Sequence, residues 1–367
     1  MEKIAPLTGL RGIAAYAVLI AHAVDASVSG RGLPHSIAVG LAYFGMSLFF
    51  VLSGFVICYN YENKVLSPYG RWQFFGARFA RLFPMYAFVV IVYALPVLDH
   101  STPLVVVTHA TLTQSWFNTE EAYFGATWSI STEWFFYFAF VYLISSPRLQ
   151  AFAGWKPLAA FSAASVLALA VLFVLKPQIE WLFSRPLHPL FLHGGASNTI
   201  WTWLSYYSPM VRILEFMLGV IAARTYSALR PDVPSWAAFL AFGWCALLIA
   251  FGQQFLANTF FGNFLPNFVF APALVVIMLY VSQDRTIAFV FLSGAIMVWA
   301  GEISYSVYLL QAAGRNIALF FVQHPALDIL LTCFFTKIIA STSFILIERP
   351  SRTFLRKLFT RWAEVVL

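Results

Sequence analysis

The segment LTGLRGIAAYAVLIAH, residues 7–22, sets an arginine and a histidine eleven positions apart in a run of apolar residues. On a helix that spacing turns through about 1100°, three turns plus roughly 20°, and rises roughly 16–17 Å. Arg11 and His22 therefore share one face, half a membrane apart. Both are expensive in hydrocarbon, so they are kept for a task or shielded by partners. An arginine fork recognises phosphate, and an imidazole is the usual general base near neutral pH. A ligand with phosphates at one end and a reactive group at the other, the shape of a coenzyme A thioester, would match such a stripe. The plainer alternative is a positive-inside anchor at Arg11 and a hydrogen-bonded helix contact at His22.

Other residues could join them. Arg78 and Arg81 stand three apart, just before Pro84, and on a helix they face the same way. They suit a clamp on phosphates at the inner mouth, or an anchor on anionic lipid. Arg71 is a further candidate for the clamp. Glu133 is expected in the first turn of a span, near the outer face. There it either answers the helix N-terminus or serves acceptor binding or the tuning of His22. Asp25, three residues after His22, could orient the imidazole or sit at the interface. Ser53 could carry an acyl group, but no neighbouring base is implied; with Gly54 it also allows close helix approach. His188 and His193 do not share a helical face, and Pro189 interrupts any regular helix through them, so no metal site is expected.

These side chains need a scaffold that the composition describes. The 367 residues are 61% hydrophobic and 10% charged, against about 25% charged in a soluble domain. The chain cannot cover a water-facing surface and reads as a polytopic membrane protein. Helices are the expected spanning form, since no period-2 barrel pattern occurs. About 20 apolar residues cross a bilayer, and ten segments qualify: roughly 12–29, 41–59, 84–98, 128–144, 158–175, 210–226, 235–252, 267–283, 302–321 and 327–347. With the N-terminus in the cytoplasm, inner segments hold most of the 22 basic residues, while outer loops hold only Arg31, Lys176 and Arg185. That asymmetry places both termini inside. It also accounts for the net charge of +7 without nucleic acid. His35, His100, His109, His188, His193 and His324 fall in outer segments; the longest of those, 99–127 and 176–209, are expected to pack against the bundle. Cys58, Cys245 and Cys333 lie in apolar runs and read as packing residues, not a disulfide framework. Residues 1–30 resemble a secretory signal, but cleavage would spoil the parity of the charge pattern. One membrane-embedded domain over 1–367 is expected.

Six stretches, in order and at matching intervals, resemble acyltransferase family 3, the integral-membrane O-acyltransferases. LTGLRGIAAYAVLIAH is similar to that family's first span, where Arg or Lys precedes His by the spacing of Arg11 and His22. SLFFVLSGFVI (47–57) is similar to its second span. RFARLFP (78–84) resembles its Arg-x-x-Arg-x-x-Pro cytoplasmic turn, and WSISTEWFFY (128–137) its Trp-Ser-Leu-Ser-x-Glu stretch. ISYSVYLLQ (303–311) resembles a Ser-Tyr-Ser-x-Tyr-Leu span, and IERPSRTFLRK (347–357) the closing Glu-x-Pro element. Two departures stand out. Gln311 occupies a position where the family often has His, and Glu133 is followed by Trp134 and Phe135, which leaves no second acid for a paired-carboxylate mechanism.

The resemblance implies an all-α protein of about ten transmembrane helices that moves an acyl group, acetyl first, from cytoplasmic acyl-CoA to a hydroxyl. It implies that Arg78, Arg81 and Arg71 hold the donor. His22, with Arg11, would act as general base or transient acyl carrier. Glu133, Asp25, Ser53, Tyr305 and Gln311 are expected on the acceptor side or in support, with no metal. A hydrophilic path through the bundle is expected to bring the thioester to His22. The acceptor implied is a sugar of a surface glycan or a lipid-linked oligosaccharide, in a bacterial cytoplasmic membrane. Two further readings fit the residues: a transporter or flippase for a glycan or small metabolite, and acylation of a secondary-metabolite sugar.

Overall fold

The computed structural model describes residues 4–27, 32–94, 103–117, 126–146, 152–183, 200–257, 259–321 and 324–366. Among them there is no strand. The helices that matter here are α1 (Ala5–Ser27), α2 (Gly32–Tyr61), α3 (Pro68–Ala94), α4 (Thr127–Ile144), α5 (Trp155–Val174), α6 (Pro209–Leu229), α7 (Ser235–Leu247), α8 (Ala271–Val281), α9 (Ala295–Glu302), α10 (Ser304–Leu319), α11 (Pro325–Ser343) and α12 (Arg349–Val366). A chain this apolar offers its backbone no water to bond, so the peptide groups satisfy one another within helices.

Each of the ten sequence-predicted spans overlaps a helix. Seven helical stretches are long and apolar enough to cross a membrane. The sequence count is higher because three predicted spans fall short. α8 has 11 residues and α10 has 16, while α4 opens on the polar run TWSISTE. A second difference concerns RFARLFP. Its arginines and Pro84 read from sequence as a turn ahead of a span, yet α3 runs unbroken from Pro68 through Ala94 with Pro84 inside it. Proline removes one backbone donor and strains the preceding turn; the long apolar run around it keeps the helix going. At the other end α11 continues through a π-helical turn, Phe344–Glu348, into α12, so the closing Glu-x-Pro element is also helical. His100, His188 and His193, with Arg31, Arg148 and Arg185, lie outside the described residues.

The chain divides into two compact units, each assembled from separated stretches. The first comprises Met1–Asn60, Ala153–Ser162 and Glu215–Phe344. In it α1 packs against α9, α10, α11 and the short helix Ile287–Leu292. Its core joins Ala15 and Leu19 to Ile303, Val307, Ala340 and Phe344. Small residues permit this closeness: a Cβ on Gly301 would collide with the Thr8 carbonyl, and one on Gly54 with the Phe216 carbonyl of α6.

The second unit comprises Tyr61–Phe152, Ala163–Leu214 and Ile345–Leu367. Aromatic rings fill it: Phe74 of α3 packs on Tyr61, Phe75, Tyr137 and Phe140. Phe359 of α12 sits on Gly76 of α3, between Trp72 and Phe79. A hydroxyl knot ties the segment after the short helix Pro103–Ala110 to α4. The Ser115 N–H and hydroxyl both donate to Ser131, Thr132 donates to Ser115, and the Trp203 indole donates to the Ser115 carbonyl. His109 is buried in that short helix and donates Nδ1–H to the Val105 carbonyl at 2.9 Å. Burial pushes its imidazole below its ordinary range, against the pull of that hydrogen bond.

Candidate active site

In the first unit α1 and α10 present their polar faces to each other. Arg11 Nη2 donates to Ser304 Oγ at 3.4 Å, and His22 Nδ1 stands 2.9 Å from Gln311 Oε1. The N-terminal pair and the C-terminal pair match end to end, so the two helices run parallel. The amide oxygen can only accept, so Nδ1–H is the donor, and in the neutral ring this is the tautomer whose Nε2 keeps its lone pair. His22 is exposed on its face of α1, whereas Gln311 is buried. The arrangement is that of a held imidazole with one nitrogen turned outward. Its partner is a neutral amide, which orients the ring without adding charge.

Asp25 is engaged elsewhere. Its carboxylate pairs with His35 Nδ1 of α2, not with His22, because the ring one turn back is already occupied by Gln311. Beyond it Ser27 donates to Asp328 at 2.9 Å, and Thr332 donates to the same carboxylate at 3.2 Å. Arg315, one turn past Gln311, lies 3.6 Å from it. Tyr305 is buried next to Ser304 on α10. Ser53 is half-buried on α2, where neighbouring Gly54 presses on α6.

The donor candidates belong to the second unit. Arg78 is 3% exposed. It donates to the Tyr61 hydroxyl at 3.1 Å, and its guanidinium lies 5.0 Å from the Tyr61 ring, 5.9 Å from Tyr137 and 6.0 Å from Phe74. Its Nε has no acceptor among the described residues. The charge is thus carried on ring faces. Glu133 stands in the second turn of α4, not the first as its position in the motif suggested, and accepts from Tyr137 Oη at 2.7 Å. That tyrosine links the acid to Arg78. Arg81 is half-buried one turn further along α3. Arg71 is exposed and donates Nε–H to the Val65 carbonyl at 2.8 Å, closing the turn Lys64–Leu66.

Glu215 and Arg212 are among the buried charged groups that the sequence reading did not single out. Glu215, 1% exposed in the first unit, accepts from the Ser47 hydroxyl and from the Phe268 N–H. Arg212 in the second unit is fully buried; it donates to the Tyr206 carbonyl at 2.8 Å, with its guanidinium 4.7 Å from the Tyr206 ring and 5.8 Å from Trp128. An ionisable residue inside an apolar run was the available signal, but it says nothing of the partner.

The helices of membrane length, the imidazole held by Gln311 and the buried Arg78 are the features that the comparisons with known proteins bear on. Residues 4–347 match the family model described as an acyltransferase domain, and the chain belongs to that family, acyltransferase family 3, as a multi-pass membrane acyltransferase. It is similar to Acyltransferase MdmB of Streptomyces mycarofaciens, 27% identical over 335 residues, covering 84% of this chain and 78% of that protein. It is also similar to Protein 2 in picA locus of Rhizobium radiobacter, 36% identical over 94 residues, 25% of this chain and 45% of that protein. No solved structure matches.

Proposed function

We propose that the protein transfers an acyl group, acetyl first, from cytoplasmic acyl-CoA to a hydroxyl of a surface glycan or lipid-linked sugar, in a bacterial cytoplasmic membrane. The observation that carries this reading is the His22–Gln311 hydrogen bond, because it fixes the ring through Nδ1 and leaves Nε2 available to a substrate hydroxyl. In this reading His22 Nε2 takes the proton of the acceptor hydroxyl as its oxygen attacks the thioester carbonyl. The C–O bond forms, the C–S bond breaks, and CoA leaves with the proton restored to its sulfur. A route through an acyl-imidazole uses the same nitrogen as nucleophile. The donor's phosphates are assigned to the basic residues Arg78 and Arg81 of the second unit.

The test uses the full chain in lipid nanodiscs with radiolabelled acetyl-CoA and glycan acceptors. Wild type is expected to release free CoA only when an acceptor is present. His22→Ala should lose about 10²–10⁴-fold in turnover, the span of a general base, while still binding CoA. Near-normal transfer by that variant removes His22 from the mechanism. Absence of thioester consumption with every acceptor overturns the whole reading.

A further inference from the structure

The clamp expected from sequence consisted of Arg78 and Arg81, but Arg78 is ringed by Tyr61, Tyr137 and Phe74 and almost wholly covered. A hydrated phosphate needs a guanidinium that can turn toward it. Two other arginines of the second unit are better placed. Arg352, Arg356 and Phe359 stand at i, i+4 and i+7 on α12, one face of that helix. Phe359 seats against Gly76, Trp72 and Phe79 of α3. The same face therefore runs along the helix that carries Arg78 and Arg81. Arg352 is half-buried and Arg356 exposed, and besides its burial Arg352 feels the charges of Arg81, Arg78, Glu348 and Arg356. The packed pair of helices thus carries Arg78 and Arg81 on one member and Arg352 and Arg356 on the other, with Glu348 one turn before Arg352. Cations gathered this closely repel one another, and a polyanion seated among them relieves that repulsion.

We propose that Arg352 is a direct ligand of a phosphate group of the acyl donor, gripping it together with Arg81, while buried Arg78 supports the field from behind. This rests on the acyl-CoA reading above. The grip is a matter of planar forks: two guanidinium groups from different helices can each give parallel N–H donors to one phosphate. The segment 349–366 then serves as half of a phosphate site rather than as a tail. The same chemistry would be offered to the phosphate of an anionic lipid, so the experiment separates the two.

CoA binding is measured for wild type, Arg352→Gln, Arg352→Lys and Lys357→Gln, each as the full chain in nanodiscs of phosphatidylcholine alone and with phosphatidylglycerol. Arg352→Gln should weaken CoA binding about tenfold or more, the loss of a charged hydrogen bond. Arg352→Lys should recover part of that, and Lys357→Gln, one position off the face, should match wild type. Melting temperatures of the variants are read beside the affinities; Arg352→Lys keeps the charge and reports the same loss of the fork should the Gln variant fold poorly. If wild type binds CoA and both Arg352 variants bind it equally well, this inference falls and the acyl-CoA reading survives. If wild type does not bind CoA, that reading falls and takes this one with it. A loss of phosphatidylglycerol preference without loss of CoA affinity assigns the site to lipid and overturns the proposal.

Discussion

Gln311 stands where histidine is frequent in the family, and its contact explains how a neutral amide can serve there. Its oxygen takes the Nδ1 proton of His22 and so selects the tautomer with a free Nε2. Arg315 lies one turn beyond on α10, and Asp328, which faces that turn, is engaged by Ser27 and Thr332. The carboxylate that sequence offered for orienting His22, Asp25, instead holds His35. Gln311→Leu keeps the volume and removes the acceptor. A net hydrogen bond of about 1 kcal/mol corresponds to about a fivefold fall in kcat. The KM for acetyl-CoA should stay unchanged. Steady-state kinetics of the purified variant decide this; equal loss in donor affinity would mean that Gln311 acts on folding or donor binding instead of on the ring.

Among the elements, α2 and α6 approach so closely that Gly54 has no room for a side chain against the Phe216 carbonyl, and Gly219 none against that of Val51. Gly243 on α7 has nothing within 4 Å of the place a Cβ would occupy. The two glycines should therefore respond in opposite directions. Gly54→Val forces the helices apart and should cost about 1–3 kcal/mol. Gly243→Ala removes backbone freedom from the unfolded chain and should stabilise by about 0.5–1 kcal/mol. Thermal unfolding of both variants in nanodiscs checks the pair, and a destabilised Gly243→Ala would show that this face of α7 is covered by something else. In the second unit, Phe359 in the notch at Gly76 does for α12 what these contacts do for α6.

For the whole molecule the distribution of basic residues predicts an orientation. With the N-terminus inside, Arg78, Arg81, Arg352 and Arg356 all fall on the cytoplasmic side, where acyl-CoA is found. A reporter fused after Leu367 should be active in the cytoplasm and silent outside it. Activity outside would put the basic cluster on the wrong side of the membrane for this donor. Mass spectrometry of surface glycans with and without the protein should then show the loss of one acyl mass per modified sugar.

The membrane class, the helices and the positions of Arg11 and His22 on one face were legible in the sequence, because each is a local or periodic property. Apolar runs of span length leave the backbone no choice but helix, and eleven residues make three turns whatever surrounds them. Family membership was equally legible, since six motifs keep their order. What tertiary structure alone decided is which polar groups meet. Gln311 is 289 residues from His22, Phe359 seats on Gly76, and Arg78 disappears behind rings from three segments. In an apolar environment a polar side chain takes whatever donor or acceptor the packing brings within reach, and periodicity carries no record of which helix that will be.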